Sequence, residues 1–321
     1  MQELTEGQKT FANDIIEGLS QTTKQLPSKY FYDSEGDRLF QEIMALDEYY
    51  LTNAEESIIY ENKQDILESF IGTDSSFRLV ELGAGDGKKT KILLEHFMDQ
   101  EIDFTYSPID ISANVLTILK ESISSALPKV DIQPIAGDYF KALKDLKKNH
   151  LQKEVVLFLG STIGNFDNES GLKFLKKLGE NMTKGDLLFI GFDLMKEPDV
   201  ILAAYNDKRG VTAEFNYNLL KRINKELKAD FDIENFIHYP TYDPISGETK
   251  SYLISKKKQQ VSLNALDKAF TFEEWEPIFM EVSLKFSQSS IQVLAQEAGF
   301  KVVKNFRDSK GYFQDSLWVK L

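Results

Sequence analysis

From residue 77 to residue 193 the chain alternates between short, wholly apolar runs and stretches with the 3.6-residue period of an amphipathic helix. The runs at 77–82, 104–109, 130–136, 155–159 and 187–194 predict five strands. Residues 89–97, a stretch through Val115 and Leu116, and residues 172–178 predict helices between them. Strands that are apolar on both faces, each followed by a helix, are the pattern of a parallel sheet covered on both sides. Val155-Val-Leu-Phe-Leu159 and Leu187-Leu-Phe-Ile190 are apolar enough to be its central strands.

The flanks carry a different pattern. Residues 1–70 predict helices, one of them opened by a capping box at Thr52-Asn-Ala-Glu55, where each side chain would satisfy a free backbone amide at the other end. Residues 196–285 predict helices, including 219–227, and then alternating segments at 236–242, 252–257 and 278–286. Those read as antiparallel strands with one wet face. The tail returns to the first pattern. A helix over 287–298 carries Ile291, Leu294 and Ala298 on one face and stops at Gly299, followed by strands at 300–303 and 316–321 around a turn at Lys310-Gly311. The block 196–285 therefore reads as an insertion after the fifth strand. The expected division is an α/β domain of residues 61–195 and 286–321, and an α+β substrate-binding domain of residues 1–60 and 196–285.

Composition narrows the functions open to such a chain. Its 321 residues, 42% hydrophobic and 28% charged, are enough for a sizeable core. Lys and Arg total 38 against 51 Asp and Glu, a net charge of −13. So negative a surface repels phosphate backbones and anionic lipid, which argues against nucleic-acid and membrane partners. There is no cysteine, which removes disulfides, thiolate nucleophiles and cysteine-based metal sites together. Three scattered histidines (His96, His150, His238) make a histidine metal site improbable, so no metal is expected. The N-terminal segment has no signal-peptide pattern and no apolar run approaches about 18 residues. The expectation is a cytoplasmic protein.

The strongest local signal is Val80-Glu-Leu-Gly-Ala-Gly-Asp-Gly87, between a strand and a helix. Glycines at alternate positions let the backbone bend sharply and approach a ligand with no Cβ in the way. The spacing is not that of a dinucleotide-binding loop, and Glu81 stands two residues before the first glycine. Asp110 ends the second strand, where a carboxylate can accept both ribose hydroxyls; Asp138 ends the third, where it can take an adenine amino group, with Tyr139 stacking nearby. Ligands of open α/β sheets sit at the carboxyl ends of the strands. One aspartate after a strand is usually a helix cap; a glycine loop and two acids at successive strand ends are harder to dismiss. The combination resembles the S-adenosyl-L-methionine (SAM) site of class I, Rossmann-like methyltransferases, whose mostly parallel sheet also ends in an antiparallel β-hairpin.

Five strings extend the resemblance across nearly the whole chain. They are Phe31-Tyr-Asp, Asp47-Glu-Tyr-Tyr-Leu-Thr-Asn-Ala-Glu55, Phe158-Leu-Gly-Ser-Thr-Ile-Gly-Asn165, Gly210-Val-Thr-Ala-Glu-Phe-Asn216 and Glu281-Val-Ser-Leu-Lys-Phe286. Together they are similar to the histidine-specific SAM-dependent methyltransferases of ergothioneine biosynthesis, which convert the α-amino group of L-histidine to the trimethylated betaine hercynine. The resemblance implies that Gly83, Gly85, Lys89, Asp110, Asp138 and Tyr139 hold the cofactor. It also implies that Tyr49, Asn165 and Tyr205 hold the amino acid's backbone groups, with Tyr32 lining the same cavity, and that Glu281 and Ser283 grip the imidazole. Asn165 and Tyr49 would orient the amine for successive in-line methyl transfers, without metal or covalent intermediate.

Plainer roles exist for each residue. With 13 tyrosines and 23 phenylalanines, any one aromatic is more often packing than a ligand contact; Asn165 could cap the next helix, and Glu281 could sit on a solvated face. Two positions depart from the family. Leu284 stands where the strand often has cysteine, and Lys250-Ser-Tyr-Leu253 lacks the methionine that some members place against the imidazole, with Ser251 at that position. A methyltransferase of another amino acid or small amine, and a SAM-binding protein without turnover, are the competing readings.

Overall fold

The computed structural model describes residues 5–72, 76–149 and 152–321; His150 and the first residues of the N-terminal segment lie outside them. In chain order the elements begin with helices α1 (Glu6–Leu19), α2 (Ser34–Met44) and α3 (Tyr50–Ile71). Next come β1 (Ser76–Leu82), α4 (Lys88–Asp99), β2 (Asp103–Asp110), α5 (Ala113–Ala126), β3 (Asp131–Ile132), β4 (Ile135–Ala136), α6 (Tyr139–Asn149), β5 (Glu154–Phe158), α7 (Asn168–Glu180) and β6 (Leu187–Asp193). The block that follows holds α8 (Pro198–Tyr205), α9 (Val211–Leu227), β7 (Phe236–Tyr242), β8 (Glu248–Ser255), β9 (Gln259–Leu263), β10 (Lys268–Phe272) and β11 (Pro277–Leu284). The tail is α10 (Gln288–Glu297), β12 (Phe300–Arg307) and β13 (Phe313–Lys320).

Two compact units result, one of residues 51–195 and 284–321, the other of 1–50 and 196–283. The expected boundary near residue 60 falls inside α3, a single unbroken helix, and the division comes instead at its first turn. The capping box expected at Thr52 is absent for the same reason. Thr52 lies within the helix, and Glu55 is buried rather than folded back on an N-terminus.

The first unit is a sheet in the order β12-β13-β6-β5-β1-β2-β3, with β4 also on β2. Strands β1 to β6 pair in parallel, and β13 runs antiparallel to both β6 and β12. This is the class I methyltransferase sheet with its terminal hairpin. Every residue of β5 and of β6 is buried, as runs with no polar face require. The third expected strand differs: it is two short pieces, β3 and β4, separated by Gln133-Pro134. Proline has no N–H for a ladder, so pairing breaks there and resumes at Ile135. Ser287 caps α10 by accepting from the Ser290 N–H, and Gly299 follows the helix with φ of 82°.

The second unit packs α1, α2 and α9 with a three-stranded sheet, β11-β8-β7, and a two-stranded one, β10-β9, that the hydrophobic pattern did not announce. Its core is built from Phe11, Ile15, Leu39, Phe215, Leu219, Ile223, Leu253, Ile278 and Met280, among others. Asp207 caps α9 by accepting from the N–H groups of Val211 and Thr212 at 3.0 and 2.8 Å. Among the described residues no helix is long and apolar enough to cross a membrane.

Candidate active site

At the carboxyl ends of β1, β2 and β4 the chain turns three times. After β1, Gly83, Gly85 and Gly87 all have φ between 55° and 69°, a left-handed backbone that side chains resist. A Cβ at Gly83 would stand 2.9 Å from the Tyr139 hydroxyl, so the loop and Tyr139 are in contact; one at Gly85 would meet nothing. Tyr139 opens α6 and lies close to Asp110, since burial first and the Asp110 charge second push its phenol above the ordinary value. Asp110 accepts from the Ser112 N–H at 2.9 Å and Asp138 from the Lys141 N–H at 3.0 Å. Asp138 thus caps α6 with one oxygen, whereas Asp110 closes a turn ahead of α5, which Ser112 caps by accepting from the Val115 N–H. A cavity of about 380 Å³ lies to one side, between β4 and α6, lined by Ile135, Gly137, Asp138, Lys141, Asp145 and Leu146; it shares only Asp138 with this set. A glycine loop open at Gly85, two carboxylates and an aromatic ring form a donor and acceptor set that fits the nucleoside and amino-acid portions of SAM.

Beneath that loop lies a group of charges. Glu81 accepts from Thr90 Oγ1 at 2.6 Å and from the Tyr106 hydroxyl, and burial raises its carboxyl to about 7. Lys89, in the first turn of α4, pairs with Glu55. Burial would lower the Lys89 ammonium, but Glu55, Asp315 and Glu81 more than reverse this and leave it above its ordinary value. Asp315, wholly buried, is driven far upward by burial and then by Glu55. The sequence reading missed Glu55 and Asp315. A signal for Glu55 did exist: Leu51, Glu55, Ile58 and Ile59 share one helix face, and all four are buried.

After β5 the chain passes through Gly160 and Ser161, both with positive φ (75° and 52°). Positive φ at a serine is strained, a condition met often at functional sites. The Ser161 hydroxyl accepts the Asp193 N–H at 2.9 Å, and Asp193 pairs with Lys285 at 2.8 Å, both side chains fully buried. Asn165 ends a short 3-10 helix, Thr162–Asn165, and is exposed. It does not cap α7; Asp167 does, accepting from the Ser170 N–H at 2.8 Å.

The second unit gathers Tyr32, Tyr49, Tyr205, Glu281 and Ser283. The Tyr205 hydroxyl donates to Ser283 at 2.8 Å, and Ser251 donates to Glu281 at 3.2 Å. On β11, Ile278 and Met280 enter the core while Glu281 and Ser283, two apart, project together on the other face. Tyr32, 47% exposed, sets its ring edge against Phe40 and Phe215 at 5.7 and 5.8 Å, and Phe40 meets Tyr49 at 6.4 Å. Its shielded hydroxyl, and then the Glu281 charge, hold its phenol well above the usual range. His238 lies behind Tyr205, its Nε2 at 3.0 Å from the Tyr205 carbonyl, and burial keeps the ring neutral by lowering its pKa. Phe40, Phe215 and His238 were not singled out from sequence, because buried aromatics there are indistinguishable from core until the elements meet. Asn165 belongs to the first unit, and Tyr32, Tyr49, Tyr205, Glu281 and Ser283 belong to the second.

A family model described as "Histidine-specific methyltransferase, SAM-dependent" matches residues 11–320. The histidine N-alpha-methyltransferase of Mycolicibacterium smegmatis is 36% identical over 307 residues, covering 96% of this chain and 94% of that protein. Its namesake from Mycobacterium tuberculosis is 34% identical over 314 residues, covering 98% and 96%. Ergothioneine biosynthesis protein 1 of Schizosaccharomyces pombe is 29% identical over 301 residues, 91% of this chain and 39% of the larger protein. The sheet, the strand-end acids and a match over almost the full length agree, and the chain belongs to the histidine-specific SAM-dependent methyltransferases.

Proposed function

We propose that the chain methylates the α-amino group of free L-histidine, three times in succession, to give the betaine hercynine. Bound SAM supplies an electrophilic methyl group on a sulfonium. Gly83, Gly85, Lys89, Asp110, Asp138 and Tyr139 hold it at the strand ends, and the second unit supplies the amino-acid pocket. The observation that carries the choice of histidine is the pair on β11. A neutral imidazole offers one N–H and one lone pair; Glu281 accepts the first and the Ser283 hydroxyl serves the second. Ser251 and Tyr205 hold these two groups in place. Tyr49 and Tyr205, with Asn165, orient the α-amine and carboxylate through neutral groups. The faces of Tyr32 and Tyr49 stabilise a growing quaternary cation by about 0.5–2 kcal/mol. The absence of cysteine is in keeping with activity in the cytoplasm.

The test is a panel of amino acids and small amines with labelled SAM, products followed by mass. Histidine should be preferred and should gain three methyl groups. Glu281→Ala and Asn165→Ala should each lower kcat/KM by about a hundredfold, near 3 kcal/mol. Wild-type rates in both variants would refute the site, and preference for another acceptor would refute the substrate. A second reading, an aromatic amino acid larger than histidine, draws support from the small Ser251 beside Glu281; the same panel decides it.

A further inference from the structure

We infer that Glu55 is a positioning residue for the cofactor, one buried carboxylate that sets both the Lys89 side chain and the Gly160 backbone at the strand ends. Lys89 follows the glycine loop after β1, and Gly160 follows β5. Glu55 enters from α3 with no exposed surface. It pairs with Lys89, and its two oxygens accept the Gly160 N–H at 2.8 and 3.0 Å. The sheet makes room for it: at Gly191 on β6 any Cβ would collide with Glu55 Oε1 and stand 3.1 Å from the Phe313 ring. Asp315, opposite Gly191 on β13, adds a second carboxyl that shares a hydrogen bond with Glu55, and burial and the Glu55 charge favour its protonated form.

Such an arrangement is costly. Taking a carboxylate out of water is heavily penalised, and packing would be served as well by a leucine on this apolar helix face. A lysine in the first turn of a helix also lies at the end that disfavours cations. Pairing with Glu55 offsets both penalties and turns the ammonium inward, beside Gly160, where an added Cβ would lie 3.6 Å from Lys89 Nζ. Without the carboxylate, Lys89 loses its anchor and the Gly160 N–H loses its acceptor. The two walls of the site on either side of β1 and β5 would then move independently. Glu55 acts through them, without touching the cofactor.

This inference rests on the assignment of the strand ends to SAM, and the experiment separates the two. SAM affinity by calorimetry, thermal stability, and KM and kcat with histidine are measured for Glu55→Gln, Asp110→Asn and Glu154→Gln. Glu154 is a buried carboxylate at the opposite end of β5, so its variant reports loss of a buried acid alone. Glu55→Gln should weaken SAM binding and raise its KM about tenfold, the size seen when a group that orients a binding residue is lost, with kcat and the histidine KM within about threefold. Glu154→Gln should leave SAM affinity within about twofold. If Asp110→Asn weakens SAM binding and Glu55→Gln does not, Glu55 has no positioning role. If neither does, the assignment of the strand ends has failed. Should Glu55→Gln not fold, Glu55→Asp keeps the charge with a shorter reach and is expected to lose affinity about threefold; unchanged affinity there overturns the inference as well.

Discussion

The two units solve the problem of buried polarity in opposite ways. The first buries ionisable groups inside its sheet layer: Glu55 with Lys89 and Asp193 with Lys285 as ion pairs, and Glu81 and Asp315 as carboxyls whose protonated forms burial favours. The second relies largely on neutral groups, with Tyr205 on Ser283, Ser251 on Glu281, a neutral His238 and a ring cluster of Tyr32, Phe40, Tyr49 and Phe215. Charged pairs in a rigid parallel sheet fix the backbone where a large, charged cofactor is to be met. Hydroxyls and rings suit the role proposed for the second unit, the recognition of a small amino acid by hydrogen bonds and aromatic faces. The contrast teaches that recognition by main-chain geometry and recognition by side-chain chemistry make different demands on the surrounding core.

The comparison breaks first where packing is heaviest. Trp318 is fully buried in the first unit, stacked on Phe192 at 5.6 Å and near Phe300 at 5.9 Å. Trp318→Ala should cost about 3–5 kcal/mol, read as a fall in Tm and in denaturant midpoint. A loss below about 1 kcal/mol would mean that this sheet is not held by its aromatic layer. A smaller effect sharpens the electrostatic half. Burial raises Glu81 from 4.5 to about 7, so the folded chain keeps a proton that the unfolded chain has released across that window. Stability from this group is therefore present below about pH 4.5 and lost as pH rises towards 7, to the extent of about 3 kcal/mol. Glu81→Gln should remove that slope, gaining on the parent chain in urea denaturation at pH 8 relative to pH 5. Equal slopes would show that Glu81 is solvated. The smallest expected effect is in the second unit. Tyr205→Phe deletes the bond to Ser283 and should cost about 1 kcal/mol, seen as a roughly fivefold rise in KM for histidine with SAM affinity unmoved.

Much of the first unit was legible because its strands are apolar on both faces. A run such as Val155-Val-Leu-Phe-Leu159 has no alternative to burial on each side, and the five strands fall where the runs predict them, apart from the break at Pro134. The terminal hairpin and the stop at Gly299 follow from equally local rules. The strands β9 and β10 were not legible, since Gln259–Leu263 and Lys268–Phe272 are only five residues each, half of the ten being polar, and marginal without each other. Thr52-Asn-Ala-Glu55 misled for a related reason. A capping box requires a chain end at that point, and nothing local says that α3 has already begun at Tyr50.

By itself the sequence determined the α/β character of the first unit, the left-handed loop after β1, the positions of Asp110 and Asp138 at strand ends, and the pairing of Glu281 with Ser283 on one strand face. These are matters of period, backbone stereochemistry and neighbours close in the chain. Only the tertiary structure decided that Glu55 meets Lys89 and Gly160, that Asp315 lies opposite Gly191, and that Tyr205 and Ser251 hold the two β11 side chains. Each of those contacts joins residues at least 30 positions apart. A carboxylate on a helix reads the same whether water or a buried lysine awaits it, and only the folded chain supplies the difference in solvation that makes it matter.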